Sequence, residues 1–252
     1  MYEDFQTRIS FEYIEKLKKE LKRPLVILGG WAVYFLVNKN FYNLEGRNYL
    51  GSKDLDIGYY LEENMTVEEL LNSSLSYDIS KLKEMGFNVL GFRFMKQFHS
   101  ETKDVLDMQK AKNIPQHNIV NVYIDPIVNM IPAKFKETFR FTPIDEPYLT
   151  KVFEKDKIEY DNDIIIPNPE VLLCMKLNSA LTRDEIHKKQ KDISDIFALL
   201  AYSDIDIEKF LKLYDKDKAM NTLAQLNIKD ASELLNVKER TIRNVFDGVV
   251  KR

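Results

Sequence analysis

Leu25-Val26-Ile27-Leu28-Gly29-Gly30-Trp31, followed further on by Ser52-Lys53-Asp54-Leu55-Asp56-Ile57, is the stretch on which the reading of this chain turns. The first segment reads as an apolar strand ended by two glycines, the second as a strand carrying two carboxylates. Side chains alternate along a strand, so Asp54 and Asp56 share one face while Leu55 and Ile57 enter the core. Two hard oxygen ligands side by side suit magnesium, which binds through one or two carboxylates together with the phosphates of a substrate. Two such ions can hold both the attacking and the leaving oxygens of an in-line phosphoryl displacement. Without a β-carbon, the backbone at Gly29 and Gly30 can approach a triphosphate, and a helix after it would direct its first N–H groups there.

Outward from this centre, Ser10 is read as the cap of a first helix that buries Phe11, Ile14, Leu17 and Leu21 and stops at Pro24. Trp31 to Val37 is nearly all apolar and reads as a helix packed on the sheet. A polar loop from Asn38 to Leu50 contains Arg47, which with Ser52 and Lys53 flanks the carboxylates as a candidate phosphate contact. Thr66-Val67-Glu68-Glu69 has the form of a capping box, and a second helical stretch closes at Gly86. Phe87 to Phe98 alternates as one strand of scaffold. Ile119 to Asp125 alternates as another, with Asp125 as its one acid, at a strand end before Pro126. Short strands and turns from Phe139 to Ile166 connect to a boundary near Pro167. Asn168-Pro169-Glu170 opens a helix. That helix carries Lys176 and then Arg183, seven residues apart on one face; Lys191 and Asp195 follow at helical i, i+4 spacing, with Asp192 between them.

The order strand, Gly-Gly, helix, arginine, then Ser-Lys-Asp-x-Asp resembles the nucleotidyltransferase fold of the DNA polymerase beta superfamily in its minimal prokaryotic form. Lys176, Arg183, Lys191, Asp192 and Asp195 resemble a second motif, that of the AbiEii-type abortive-infection toxin family. The resemblance implies an α+β (α/β) fold, a mixed sheet flanked by helices, with residues 1–166 catalytic and 167–252 a helical bundle. It implies Asp54, Asp56 and Asp125 as catalytic and metal-binding residues, with Asp125 near the attacking hydroxyl. Gly29, Gly30, Arg47, Ser52, Lys53, Lys176, Arg183, Lys191, Asp192 and Asp195 would serve the nucleotide. The implied reaction moves a nucleoside monophosphate from a triphosphate to an acceptor hydroxyl with Mg2+, two ions in all. The implied setting is a toxin–antitoxin or phage-defence pair acting on tRNA or another macromolecule, with an antitoxin protein as partner. Two alternatives stay open: a nucleotide-sensing or DNA-binding regulator without turnover, and a small-molecule, antibiotic-type nucleotidyltransferase.

Bulk properties narrow the field. With a net charge of −3 and 31% charged residues, any contact with nucleic acid rests on a local basic patch and not on a global field. The single cysteine, Cys174, excludes an internal disulfide and a cysteine-based zinc site, and His99, His117 and His187 show no ligand spacing. No apolar run reaches the roughly 20 residues of a membrane span, and the acidic start Met1-Tyr2-Glu3-Asp4 does not read as a leader, so a cytoplasmic location is expected. The segment 229–250 resembles a helix-turn-helix with Asn236 in its turn and is mildly basic, six cations to four acids from Lys229 onward. DNA binding there is the less favoured reading; a wall that receives nucleotide and acceptor is the favoured one.

Overall fold

The computed structural model describes residues 5–250; the acidic start and the last two residues lie outside the described residues. The first half runs α1 (Phe5–Glu20), β1 (Leu25–Ile27), α2 (Gly29–Glu45), β2 (Asp54–Tyr59), α3 (Val67–Leu71), α4 (Ser74–Glu84), β3 (Asn88–Leu90) and β4 (Arg93–His99). The middle runs β5 (Val105–Leu106), α5 (Met108–Ala111), β6 (Ile119–Val128), α6 (Phe135–Thr138), β7 (Ile144–Asp145), α7 (Leu149–Glu154), β8 (Lys157–Asp161) and β9 (Ile164–Pro167). The rest is helical: α8 (Pro169–Thr182), α9 (Ile186–Tyr202), α10 (Ile207–Leu213), α11 (Lys216–Gln225), α12 (Ile228–Leu235) and α13 (Glu239–Val250). The expected mixture of helix and mixed sheet is present.

One sheet organises the strands in the order β3-β4-β6-β2-β1-β9-β8, with β5 added to β4 and β7 to β6. β2 and β6 are parallel, as are β1 and β9 and β6 and β7, and the other pairs are antiparallel. The segment read as a connection thus completes the sheet: β9 lies against β1. The boundary near Pro167 falls at the end of β9, and one contiguous apolar core runs through it, from Leu25 and Ile27 through Leu172 and Leu177 to Phe197. Beyond Pro167 every element among the described residues is a helix, as expected.

Several local readings change. Ser10 does not cap α1; the helix starts at Phe5, and Ser10 is buried within it, where its hydroxyl accepts a hydrogen bond from Trp31 Nε1 at 3.0 Å. The helix after the glycines continues to Glu45 and ends on Gly46 at φ 70, so more than half of the supposed polar loop is helix. Lys39 is exposed, while Asn38 accepts from the Tyr49 N–H and Asn40 donates to the Tyr202 carbonyl, so the polar residues are accommodated within the helix. Phe87 to Phe98 is a hairpin, not one strand, because Gly91 takes φ 62 and turns the chain between β3 and β4. β6 runs on to Val128, so Asp125 sits inside the strand. Pro126 is tolerated there because β4 pairs with β6 only as far as Ile124, leaving that edge open until β7 joins at Ile127. The capping box at Thr66 and Glu69, the Gly86 stop and the Asn168 cap all form.

Trp31, the one tryptophan of the chain, is buried at the start of α2 in a ring cluster with Phe11, Tyr34 and Phe35. α1 lies along β6 and β2, and α2 joins β2 to α8 and α9. No helix of the described residues is long and apolar enough to cross a membrane.

Candidate functional site

Register brings the acids together. Asp56 pairs directly with Asp125 across the parallel strands β2 and β6, and Asp54, two residues before Asp56, faces the same way. β1 ends beside them, where the Leu28 N–H donates to the Asp56 carbonyl at 2.9 Å. Gly29 follows at φ 60, and a β-carbon there would lie 1.6 Å from Asp56 Oδ2. A side chain at this position is therefore excluded twice, by backbone conformation and by the carboxylate that fills its place.

A residue outside the expected set completes the cluster. Arg93, at the start of β4, donates through Nε to Asp125 Oδ1 at 2.9 Å and through Nη2 to both Asp125 Oδ2 and Asp54 Oδ2, the latter at 3.1 Å. Its guanidinium also lies over the Tyr123 ring at 4.3 Å. This fork geometry is what arginine offers a carboxylate pair and lysine does not. Arg93 was legible only as one member of a scaffold strand; the available signal was a cation in an otherwise mostly apolar alternation.

Charge on the strand side is unbalanced, with three carboxylates against one guanidinium. Asp56 has no hydrogen-bond or ion-pair partner among the described residues. Burial and then the charges of Asp125 and Asp54 push its carboxyl up to about 7, against the opposing pull of Lys176 and Arg183. Burial also raises the Asp125 carboxyl above its ordinary value while Arg93 holds it down in part. Arg93 stays fully charged, since Asp125 and Asp54 outweigh the effect of its burial.

The second group of candidates gathers where α8 meets α9. Lys176 is buried, with Nζ 2.9 Å from Asp192 Oδ1 and 2.7 Å from Asp195 Oδ2, the second contact lying off the hydrogen-bond direction. Arg183 Nε reaches Asp192 Oδ2 at 2.7 Å, and Lys191 pairs with Asp195 Oδ1. Tyr49, also unforeseen, donates its hydroxyl to Asp195 Oδ1 at 2.8 Å. The two aspartates hold the Lys176 ammonium above its ordinary value despite burial, whereas burial leaves Lys191 below its own. Lys191 is the member that reaches the glycines: its Nζ lies 3.6 Å from where a Gly30 β-carbon would stand, beside Ser52. Lys176 is thus a structural hub and Lys191 the cation presented to the turn.

The remaining candidates disperse. Arg47 donates to the Leu235 carbonyl at the end of α12 and rests on the Phe41 ring at 5.1 Å. Ser52 accepts from the Asp54 N–H at 3.3 Å, and Lys53 is exposed.

Among the described residues no group of three or more His, Cys, Asp or Glu side chains is gathered closely enough to hold a metal ion. The donor chemistry nevertheless suits one. The acids enclose a cation, Arg93, and leave Asp56 unsatisfied, so positive charge is what this cluster lacks. The fold and site together define an α+β protein with a cluster of acids packed against a glycine turn, where the sheet meets the helices α8 and α9. Neither a protein-family model, a curated protein nor a solved structure matches the chain.

Proposed function

We propose that the chain is a magnesium-dependent nucleotidyltransferase of the DNA polymerase beta type, similar to the AbiEii-type toxins. The observation that supports this best is the register of Asp56 with Asp125, with Asp54 on the same face and the bare Gly29 backbone against Asp56. Asp54 and Asp56 would hold Mg2+, joined by Asp125 once Arg93 turns away from it. Bound there, magnesium would supply the positive charge that polyphosphate oxygens require.

The chain's own groups account for the rest. The Gly29-Gly30 backbone and the first N–H groups of α2 would receive the phosphates, with Lys191 as a point charge beside them. Asp125 would accept the proton of an acceptor hydroxyl as its oxygen attacks the α-phosphorus. The bond from that phosphorus to the bridging oxygen breaks, and pyrophosphate leaves. Positioning and charge neutralisation carry such a reaction. By resemblance, the acceptor would be tRNA or another macromolecule and the setting a toxin paired with an antitoxin.

One observation favours a second reading. Arg93 occupies the carboxylates now, as it would in a nucleotide-binding regulator that does not turn over. Incubation with each α-phosphate-labelled triphosphate, Mg2+ and total RNA separates the two. Label in RNA that disappears in Asp56→Asn supports transfer. Saturable nucleotide binding with no pyrophosphate release refutes it and favours the regulator.

A further inference from the structure

The face of the sheet behind the carboxylates carries a feature that nucleotidyl transfer does not use. Arg93 and Phe98 stand five positions apart on β4 and point to opposite faces. On the Phe98 side, α1 and the turn between β4 and β5 enclose an open hollow of about 400 Å3. Arg8, Lys16 and Lys103 line it with Phe5 and Tyr13, and Glu12 is the one acid among the lining residues.

These cations rest on rings, not on carboxylates. Arg8 and Lys103 each lie 5.7 Å from the Phe5 centroid, and Lys16 lies 4.4 Å from that of Tyr13. None of the three forms an ion pair among the described residues. Lys96 comes to the same Tyr13 ring at 5.6 Å from the sheet side, and burial together with the like charge of Lys16 holds its ammonium below its ordinary value. Lys103 takes φ 65, a left-handed conformation that a lysine rarely adopts, and so projects from a constrained turn.

A ring face holds a cation in place for about 0.5–1 kcal/mol at an exposed site and does not neutralise it. In a protein of net charge −3, three cations against the single Glu12 leave a local surplus of positive charge among the described residues, which suits an anion from outside. Its extent selects the anion. Arg8 and Lys16 are eight residues apart on one face of α1, about 12 Å along the axis at ~1.5 Å per residue. That is the length of three to four phosphates at the ~3.4 Å rise of a stacked strand, more than one phosphate group covers.

We infer that this hollow anchors the phosphodiester backbone of a single-stranded nucleic acid, at a site separate from the carboxylate cluster. The inference does not require that the cluster be catalytic.

The test is fluorescence anisotropy of the full chain with a labelled RNA of about 12 nucleotides, within the footprint of single-strand binders, across a range of KCl. The triple variant Arg8→Ala, Lys16→Ala, Lys103→Gly is compared with the parent, glycine being chosen because it keeps the left-handed turn. The expected result is at least a tenfold loss of affinity at low salt, and a log–log salt dependence shallower by about 2, from three lost phosphate contacts at ~0.7 each. An unchanged melting temperature assigns the loss to the hollow. Asp56→Asn should bind the RNA as the parent does, so loss of transfer and loss of anchoring are read separately. Affinity within twofold of the parent in the triple variant would overturn the inference. So would displacement of the RNA by tripolyphosphate or an oligoglutamate peptide at equal charge concentration.

Discussion

Replacing Arg93 by methionine tests whether the guanidinium stands in for a metal. Arg93 is 14% exposed and Asp125 only 5%, so the substitution leaves a buried carboxylate beside Asp56 and Asp54 with no compensating charge. Breaking a buried pair from one side costs about 3–5 kcal/mol. At roughly 2–4 °C per kcal/mol for a chain of this size, the melting temperature should fall by about 6–20 °C. The loss should be larger at pH 8 than at pH 5, since burial raises the Asp125 carboxyl and proton uptake on acidification removes uncompensated charge. Magnesium should then restore the variant, by about 2.7 kcal/mol at a hundredfold excess over its dissociation constant, and should help the parent less, because there it competes with Arg93. Thermal melts with and without Mg2+ at both pH values measure all of this. A variant that melts within about 2 °C of the parent, or a magnesium increment equal in both proteins, would refute the reasoning.

The other predictions concern the neighbours of this cluster. The folded protein holds the Asp56 proton up to about pH 7, against an ordinary value of 3.8, so stability falls as pH rises between those values. Asp56→Asn should therefore gain up to about 4 kcal/mol above pH 7 and nothing below pH 4, while losing transfer; denaturant unfolding at pH 4 and pH 8 checks it, and no gain at pH 8 defeats the argument. Gly29→Ala places a β-carbon 1.6 Å from Asp56, whereas Gly46→Ala, at a similar φ of 70, meets nothing within 4 Å. The first should cost clearly more than the ~1 kcal/mol of the second, and equal losses in unfolding experiments would show that Asp56 does not press on the turn. Lys176→Met should destabilise by about 3–5 kcal/mol. Lys191→Met leaves Asp195 with Lys176 and Tyr49; it should cost less stability and lower triphosphate affinity tenfold or more by calorimetry.

What could be read from the chain is what local pattern controls. Alternation placed Asp54 and Asp56 on one face and Asp125 on a second strand, and the paired glycines marked a turn whose geometry glycine alone accepts. Spacing along a helix put Lys191 within reach of Asp195. What escaped was set by pairing at a distance. Arg93 acquires its role from the register of β4 against β6, 32 residues away from its partner, and nothing adjacent to it announces that. Lys176 reads as a solvent-facing cation by type, yet its neighbours Leu172, Leu173 and Leu177 are core residues, and that apolar setting was the clue that it pairs internally. Arg47 was drawn to the acids by proximity in sequence; in three dimensions an unsatisfied carbonyl at a helix end claims it.

The placement of Trp31 gives the molecule an internal optical reporter. Its indole is tied to α1 through Ser10 and lies one residue past Gly30, so whatever shifts the glycine turn alters the surroundings of the only strongly emitting fluorophore. Binding at the carboxylate cluster can then be followed as a change in intrinsic emission, with no label attached and no knowledge of the acceptor.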